Sequence, residues 1–309
     1  MQAGVRCDGL SSSSLSPPFC FTIPSMTDHR IIWYITGVAV LLSALVLLVR
    51  KGCGNSSESA QSLPMPQPTE SQRQVIDTMI ECLRADPYAG QAQTKAAIGS
   101  AARLAEQGAL TTAETCYALG LRALDEKRFA DAEAAFRKAI ALRPDWSWPH
   151  DALGVLLANY TKDRAAEAET AYRTAIRLEA DWSRPHNDLA ILLRLAGRLP
   201  EAEEAALTAI RLDPGSVATH NNYGNLLVVQ RRFPEAEAQY RKAIELDRGH
   251  PKPYYNLACV CTLENRKKEA LSLLAQAVTL DPDLRQDAQR DPDLASLRDD
   301  PGFQKLIRP

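Results

Sequence analysis

The stretch ALGLRALDEKRFADAEAAFRKAIALRP, residues 118–144, decides the fold, because the chain repeats its pattern four more times. Its Leu119-Gly120 recurs as Leu153-Gly154, Leu189-Ala190, Tyr223-Gly224 and Leu257-Ala258, at steps of 34, 36, 34 and 34 residues. Ala132, Ala168, Ala202, Ala236 and Ala270 keep the same step, as do Ala139, Ala175, Ala209, Ala243 and Ala277. Self-similarity at about 34 residues means stacked supersecondary units, none of which buries its apolar face alone. The array runs from Ala113 to Pro282 and holds five units.

Each unit reads as two helices. The first, A, carries apolar residues three to four apart, as in Leu153, Leu156 and Leu157. The second, B, carries a triplet on one face: Ala132/Phe136/Ala139, Ala168/Tyr172/Ala175, Ala202/Ala206/Ala209, Ala236/Tyr240/Ala243 and Ala270/Leu274/Ala277. The alanines let two helix backbones approach, and the larger residue fills the gap that remains. Pro144, Pro214 and Pro282 close three units, and Ala180 and Arg248 hold that place in the other two. A proline lacks the N–H that a continuing helix needs.

This combination resembles the tetratricopeptide repeat family, over residues 113–282. The resemblance implies an all-α solenoid, a right-handed superhelix of helical hairpins. The chain departs from the family pattern in three ways. The first bulky position holds Cys116, His150, His186, His220 and Tyr254 instead of tryptophan; Ala206 and Leu274 replace the aromatic; and the second unit carries two extra residues in its turn, around Tyr160 to Asp163. The resemblance further implies that the A helices line a concave groove for protein or peptide partners. A-helix positions not used in packing are then expected to face it: Tyr117, Arg184, Asn187, Asp188, Asn221, Asn222, Asn225, Lys252, Tyr255 and Asn256. Asn222 and Asn256, with Asp188, recur in phase, and an amide offers a peptide backbone both a donor and an acceptor.

The flanks differ in character. Residues 1–30 are Ser- and Pro-rich before Met26 and are expected to be disordered. Ile31 to Val49 is an uncharged run of 19 residues. At 1.5 Å per residue it spans roughly 28 Å, close to a hydrocarbon core. With Trp33 and Tyr34 at one end and Arg50-Lys51 closing it, it reads as a single transmembrane helix. Positive-inside counting places the C-terminal part in the cytosol. Residues 50–69 read as a flexible tether. Residues 70–112 read as N-terminal capping helices broken at Asp86-Pro87, with Val75, Met79 and Cys82 on one face, and Ala96, Ala97, Ala101, Leu104 and Ala105 on another. Residues 283–309 read as C-terminal capping helices, with Asp291-Pro292 and Asp300-Pro301 as helix starts.

The chemistry is sparse. A net charge of −2 and the lack of long basic runs argue against nucleic acid as the partner. Seven irregularly spaced cysteines argue against a disulfide framework. His150, His186 and His220 recur in phase but lie a repeat apart, roughly 10 Å by helix spacing, too far to share an ion. No nucleophile–base pair or phosphate-binding glycine loop is legible. The sequence therefore reads as a non-enzymatic, membrane-tethered scaffold that binds proteins or peptides, with no cofactor, metal or small-molecule substrate. The alternatives are a self-associating assembly factor and a substrate-recognition subunit of a separate enzyme, such as a glycosyltransferase.

Overall fold

The computed structural model describes residues 67–85 and 91–308. The transmembrane reading of 31–49, the disordered reading of 1–30 and most of the tether lie outside them. Among the described residues no helix is long and apolar enough to cross a membrane.

Two helices, α1 (Glu70–Ala85) and α2 (Ala92–Glu106), precede the repeats. The five A helices are α3 (Ala113–Asp125), α5 (Ser147–Tyr160), α7 (Ser183–Leu195), α9 (Val217–Val229) and α11 (Pro251–Leu263). The B helices are α4 (Phe129–Leu142), α6 (Ala165–Leu178), α8 (Leu199–Leu212), α10 (Phe233–Leu246) and α12 (Lys267–Leu280). Then follow α13 (Leu284–Arg290), a 3₁₀ helix over Pro292–Leu297, and α14 (Pro301–Ile307).

Each B helix packs on its own A helix and, in the first four repeats, on the A helix of the next. The backbones of successive A helices also approach one another, and no comparable backbone approach joins successive B helices among the described residues. The A helices therefore form the inner face of the stack. All five B-helix triplets are buried. The fit is tightest at Gly120, Gly154 and Gly224, where an added Cβ would lie 2.4–2.6 Å from the ring of Phe136, Tyr172 or Tyr240. Where the ring is missing, the glycine is missing too: the third repeat pairs Ala190 with Ala206, and the fifth pairs Ala258 with Leu274.

The A-to-B turn is the same in every repeat. Lys127, Asp163, Gly197, Arg231 and Asn265 all take a φ between 59° and 75°. An arginine follows each of them, and the B helix starts there. The two extra residues of the second unit are absorbed just before this turn. α5 is one residue longer than the other A helices, and Tyr160 stacks on Phe129 with ring centroids 4.5 Å apart.

Proline does not determine where B helices stop. All five end two residues before that place, and the next residue leaves the helical region in the same way whether proline follows or not, as Arg143 (ψ 85°) and Glu179 (ψ 82°) show. The phased histidines secure this bend. The His150, His186 and His220 Nε2 atoms lie 3.1, 3.2 and 3.0 Å from the carbonyl oxygens of Pro144, Ala180 and Pro214. In the fifth repeat the Tyr254 hydroxyl donates to the Arg248 carbonyl at 3.3 Å.

Both ends of the stack are covered. Met79 and Leu83 of α1 are buried. α2 buries Thr94, Ile98, Ala101 and Ala102, which corrects the face read from the sequence: Ala96 is exposed and Leu104 only half-buried. At the other end Leu294, Leu297 and Phe303 are fully buried, with Asp291 and Asp300 capping the helices that carry them.

Candidate functional site

The inner face brings most of the expected residues together, but many of them are tied to each other. Asn222 Nδ2 donates to Asn187 Oδ1 at 3.1 Å, and Asn187 Nδ2 donates to Asp188 at 3.0 Å. One repeat on, Asn256 Nδ2 donates to Asn221 Oδ1 at 2.9 Å and to Asn225 Oδ1 at 3.0 Å. Asn225 also accepts from the Tyr240 hydroxyl at 2.8 Å. These amides bridge residues 35 positions apart, so they link neighbouring repeats. Asn187, Asn221, Tyr117 and Tyr255 are buried, which corrects the expectation that these positions take no part in packing. Tyr255 donates to Asp291 in the C-terminal cap at 2.8 Å, and Tyr117 packs edge-on against Trp146 with centroids 5.0 Å apart. Asn222, Asn225 and Asn256 are half-buried and Lys252 is exposed.

Arg184 stands between two carboxylates, with Nε 3.1 Å from Asp151 and 3.7 Å from Asp188. Asp151 is almost fully buried. Burial pushes its carboxyl up to about 7, Arg184 pulls the other way, and Asp188 adds to the rise. Burial also raises the Asp188 carboxyl. Charge on this wall therefore responds to pH near neutrality.

A cavity of about 310 Å³ opens over the N-terminal ends of α5, α7 and α9. Trp148, Trp182 and Tyr117 supply its aromatic lining. Arg84, Arg184, Glu179 and Asp213 supply charge, and Ser183, Ser216 and Thr219 supply hydroxyls. Leu83 and Arg84 come from α1, so the N-terminal helix pair walls one side. The indoles form a row: Trp146 to Trp148 is 5.8 Å between centroids and Trp148 to Trp182 is 6.3 Å. The Arg143 guanidinium sits 4.1 Å above the Trp146 ring. Glu179 accepts a hydrogen bond from the Ser147 hydroxyl. Apart from Tyr117 and Arg184, sequence reasoning missed this site. The available signal was a repeated Asp-Trp-Ser-x-Pro-His, at 145–150 and 181–186.

Two family models of the tetratricopeptide repeat match the chain, one over residues 113–146 and the other over 156–217 and 222–285. The chain belongs to the tetratricopeptide repeat family. No curated protein matches it in sequence. Among solved structures it is similar to the complex of Cut9 with Hcn1 from the APC/C, with a TM-score of 0.60 and 17% identity. That match covers 76% of this chain and 48% of the other, so the chain spans about half its length. It is also similar to TTC0263, a thermophilic tetratricopeptide repeat protein of Thermus thermophilus, with a TM-score of 0.50, 18% identity and coverage of 63% and 99%. PilF of Pseudomonas aeruginosa aligns at 21% identity and a TM-score of 0.49, covering 63% of this chain and 96% of its own. The first two likenesses establish the fold.

A second, ionic feature of these tetratricopeptide repeats also escaped the sequence reading. The arginine that opens each B helix reaches two carboxylates. Arg164 pairs with Glu133 and Glu167, Arg198 with Glu169 and Glu201, Arg232 with Glu203 and Glu235, and Arg266 with Glu237 and Glu269, all at 2.5–2.7 Å. The first partner of each lies on the preceding B helix. The Arg164 hydrogen bonds hold the Glu133 carboxyl down to about 2, against its partial burial and with help from Arg137. Elsewhere the buried Cys116, Cys259 and Cys261 thiols are pushed up, chiefly by burial, and stay protonated. Among the described residues, no three His, Cys, Asp or Glu side chains are grouped as a metal ion would need.

Proposed function

We propose that this chain is a protein-interaction module that seats an extended peptide segment along its inner face, by binding and without catalysis. One observation carries the reading: the cavity walled by Trp148, Trp182 and Arg184, where aromatic area and fixed polar groups meet at one concave spot. Rigid indoles give large contact area at low entropy cost, and the half-buried Asn222 and Asn256 extend a polar track along the same face. The test is a random peptide library offered to the full-length protein, with indole emission as the readout. Selected peptides should lose affinity at least tenfold with Trp182→Ala. Failure to select any peptide, or selection that survives both Trp182→Ala and Asn222→Ala, defeats the reading.

We further propose that the module is held at a membrane by residues 31–49 with its repeats in the cytosol. The support is the uncharged 19-residue run closed by Arg50-Lys51. Protection of the repeats from protease added outside intact cells is the expected result, and their digestion is the opposite one.

Self-association is a second reading, favoured by a specific feature. Tyr160, Leu195, Val229 and Leu263, each at the end of an A helix, are exposed, Leu195 by 71%. Sedimentation of the full-length protein in detergent, with Leu195→Ser as the control, separates it from the first reading.

A further inference from the structure

We propose that the Trp148–Trp182 cavity selects a positively charged side chain, an arginine or lysine of the bound peptide, held between the two indoles and the Glu179 and Asp213 carboxylates. The proposal rests on the peptide-binding reading and names what that site accepts.

Three observations carry it. First, the two indoles stand 6.3 Å apart at an interplanar angle of 43°, a two-walled aromatic corner of the kind that attracts cations through the ring quadrupole. Second, the same row of rings already takes a guanidinium within the fold. Arg143 sits 4.1 Å above Trp146, whose ring is the next one along from Trp148. Third, the charges favour a cation. Of the two arginines at the cavity, Arg184 is engaged within the wall by Asp151 at 3.1 Å and Asp188 at 3.7 Å, a pair that counters its charge once either carboxyl is ionised. Arg84 on α1 adds one exposed positive charge. Glu179 and Asp213 outnumber it as anionic groups of the same cavity, and Ser147 orients the Glu179 carboxylate. A peptide carboxylate or phosphate would be brought against like charge. A neutral side chain would shield both carboxylates from water without compensating them. The volume of about 310 Å³ lies at the small end of ligand pockets, fitting one long side chain with its flanking backbone.

The experiment uses the full-length protein and four fluorescent peptides of one Ala/Ser/Gly sequence, with arginine, lysine, acetyl-lysine or glutamate at the centre. Anisotropy gives affinity and indole quenching reports the site. The arginine and lysine peptides should bind, acetylation should weaken binding at least tenfold, and raising salt should weaken it further. The double variant Glu179→Gln/Asp213→Asn should lose at least fivefold for the charged peptides and nothing for acetyl-lysine. Trp182→Phe, which keeps a ring, should bind better than Trp182→Ala, and circular dichroism checks that each variant folds. Binding of the acetylated or glutamate peptide as tightly as the lysine peptide overturns the proposal. So does failure of all four peptides to bind. In that last case, successful selection from the random library leaves the groove reading standing, and a failed selection removes both.

Discussion

At Gly154 the separation between helix and ring is set by a hydrogen atom. A methyl group there would lie 2.6 Å from Tyr172. Gly154→Ala is therefore expected to destabilise the chain by about 1–3 kcal/mol through overpacking. Tyr172→Leu should return part of that loss in the double variant, because the fifth repeat already combines Ala258 with Leu274. Urea unfolding of the two singles and the double measures the coupling. Asp151 makes a different prediction. Its carboxyl stands near 7 when folded, against a usual value near 3.8, so the folded chain holds the proton more tightly than the unfolded one. Its contribution is fully present below about 4 and is lost as pH rises through 7. Thermal stability should fall between about pH 4 and 7 and level off above, and Asp151→Asn should flatten that slope. A slope unchanged by Asp151→Asn would mean that Arg184 keeps the carboxylate ionised throughout. The leucine–glycine and alanine markers were legible because packing demands the same small residue in every copy. The linkage of glycine to ring was not, because it joins positions that each looked like an isolated departure from the family pattern. Similarly, the groove asparagines were legible as a polar track, whereas their bonds across 35 residues depend on the stacking distance.

At the scale of elements, the arginines between neighbouring B helices fix the spacing of the stack. Each is half-exposed, so a single ion pair is worth little, but each arginine spans two carboxylates on two helices. Arg198→Ala should lower the urea midpoint slightly at pH 7. The carboxylates in these pairs have depressed values, Glu133 down to about 2, and Glu169 and Glu201, the partners of Arg198, also lowered. Their contribution is complete above about 4.5 and is lost as pH falls towards 2. The difference between Arg198→Ala and the native chain should therefore shrink across that window. A constant difference would show that the arginine acts through its packed stem instead. The ladder has a sequence signal, arginines at 128, 164, 198, 232 and 266, but scattered charge looks the same on any solvated helix until partners are placed.

At the scale of the molecule, each repeat touches only its neighbours, so damage should stay local. Phe303 of α14 is fully buried at the end of the array, and Phe303→Ala is expected to cost about 3–5 kcal/mol. Hydrogen exchange should speed up in α11 and α12 and stay unchanged in α3 to α6. Loss of protection throughout would show one cooperative unit. The architecture was readable from the period alone. The Trp cavity was not, because it gathers residues from α1 and the starts of three A helices, which lie outside the repeating markers.

The longer turn of the second repeat shows how this chain can tolerate new length. Two added residues around Tyr160 to Asp163 changed neither the left-handed Asp163 nor the arginine after it, so α6 begins as its counterparts do. The turn lies at the far end of α5 from Trp148, about 20 Å away along the helix. It is a natural docking port for a reporter: a short tag grafted between Thr161 and Lys162 would ride on the edge of the stack and leave the Trp148–Trp182 cavity unencumbered.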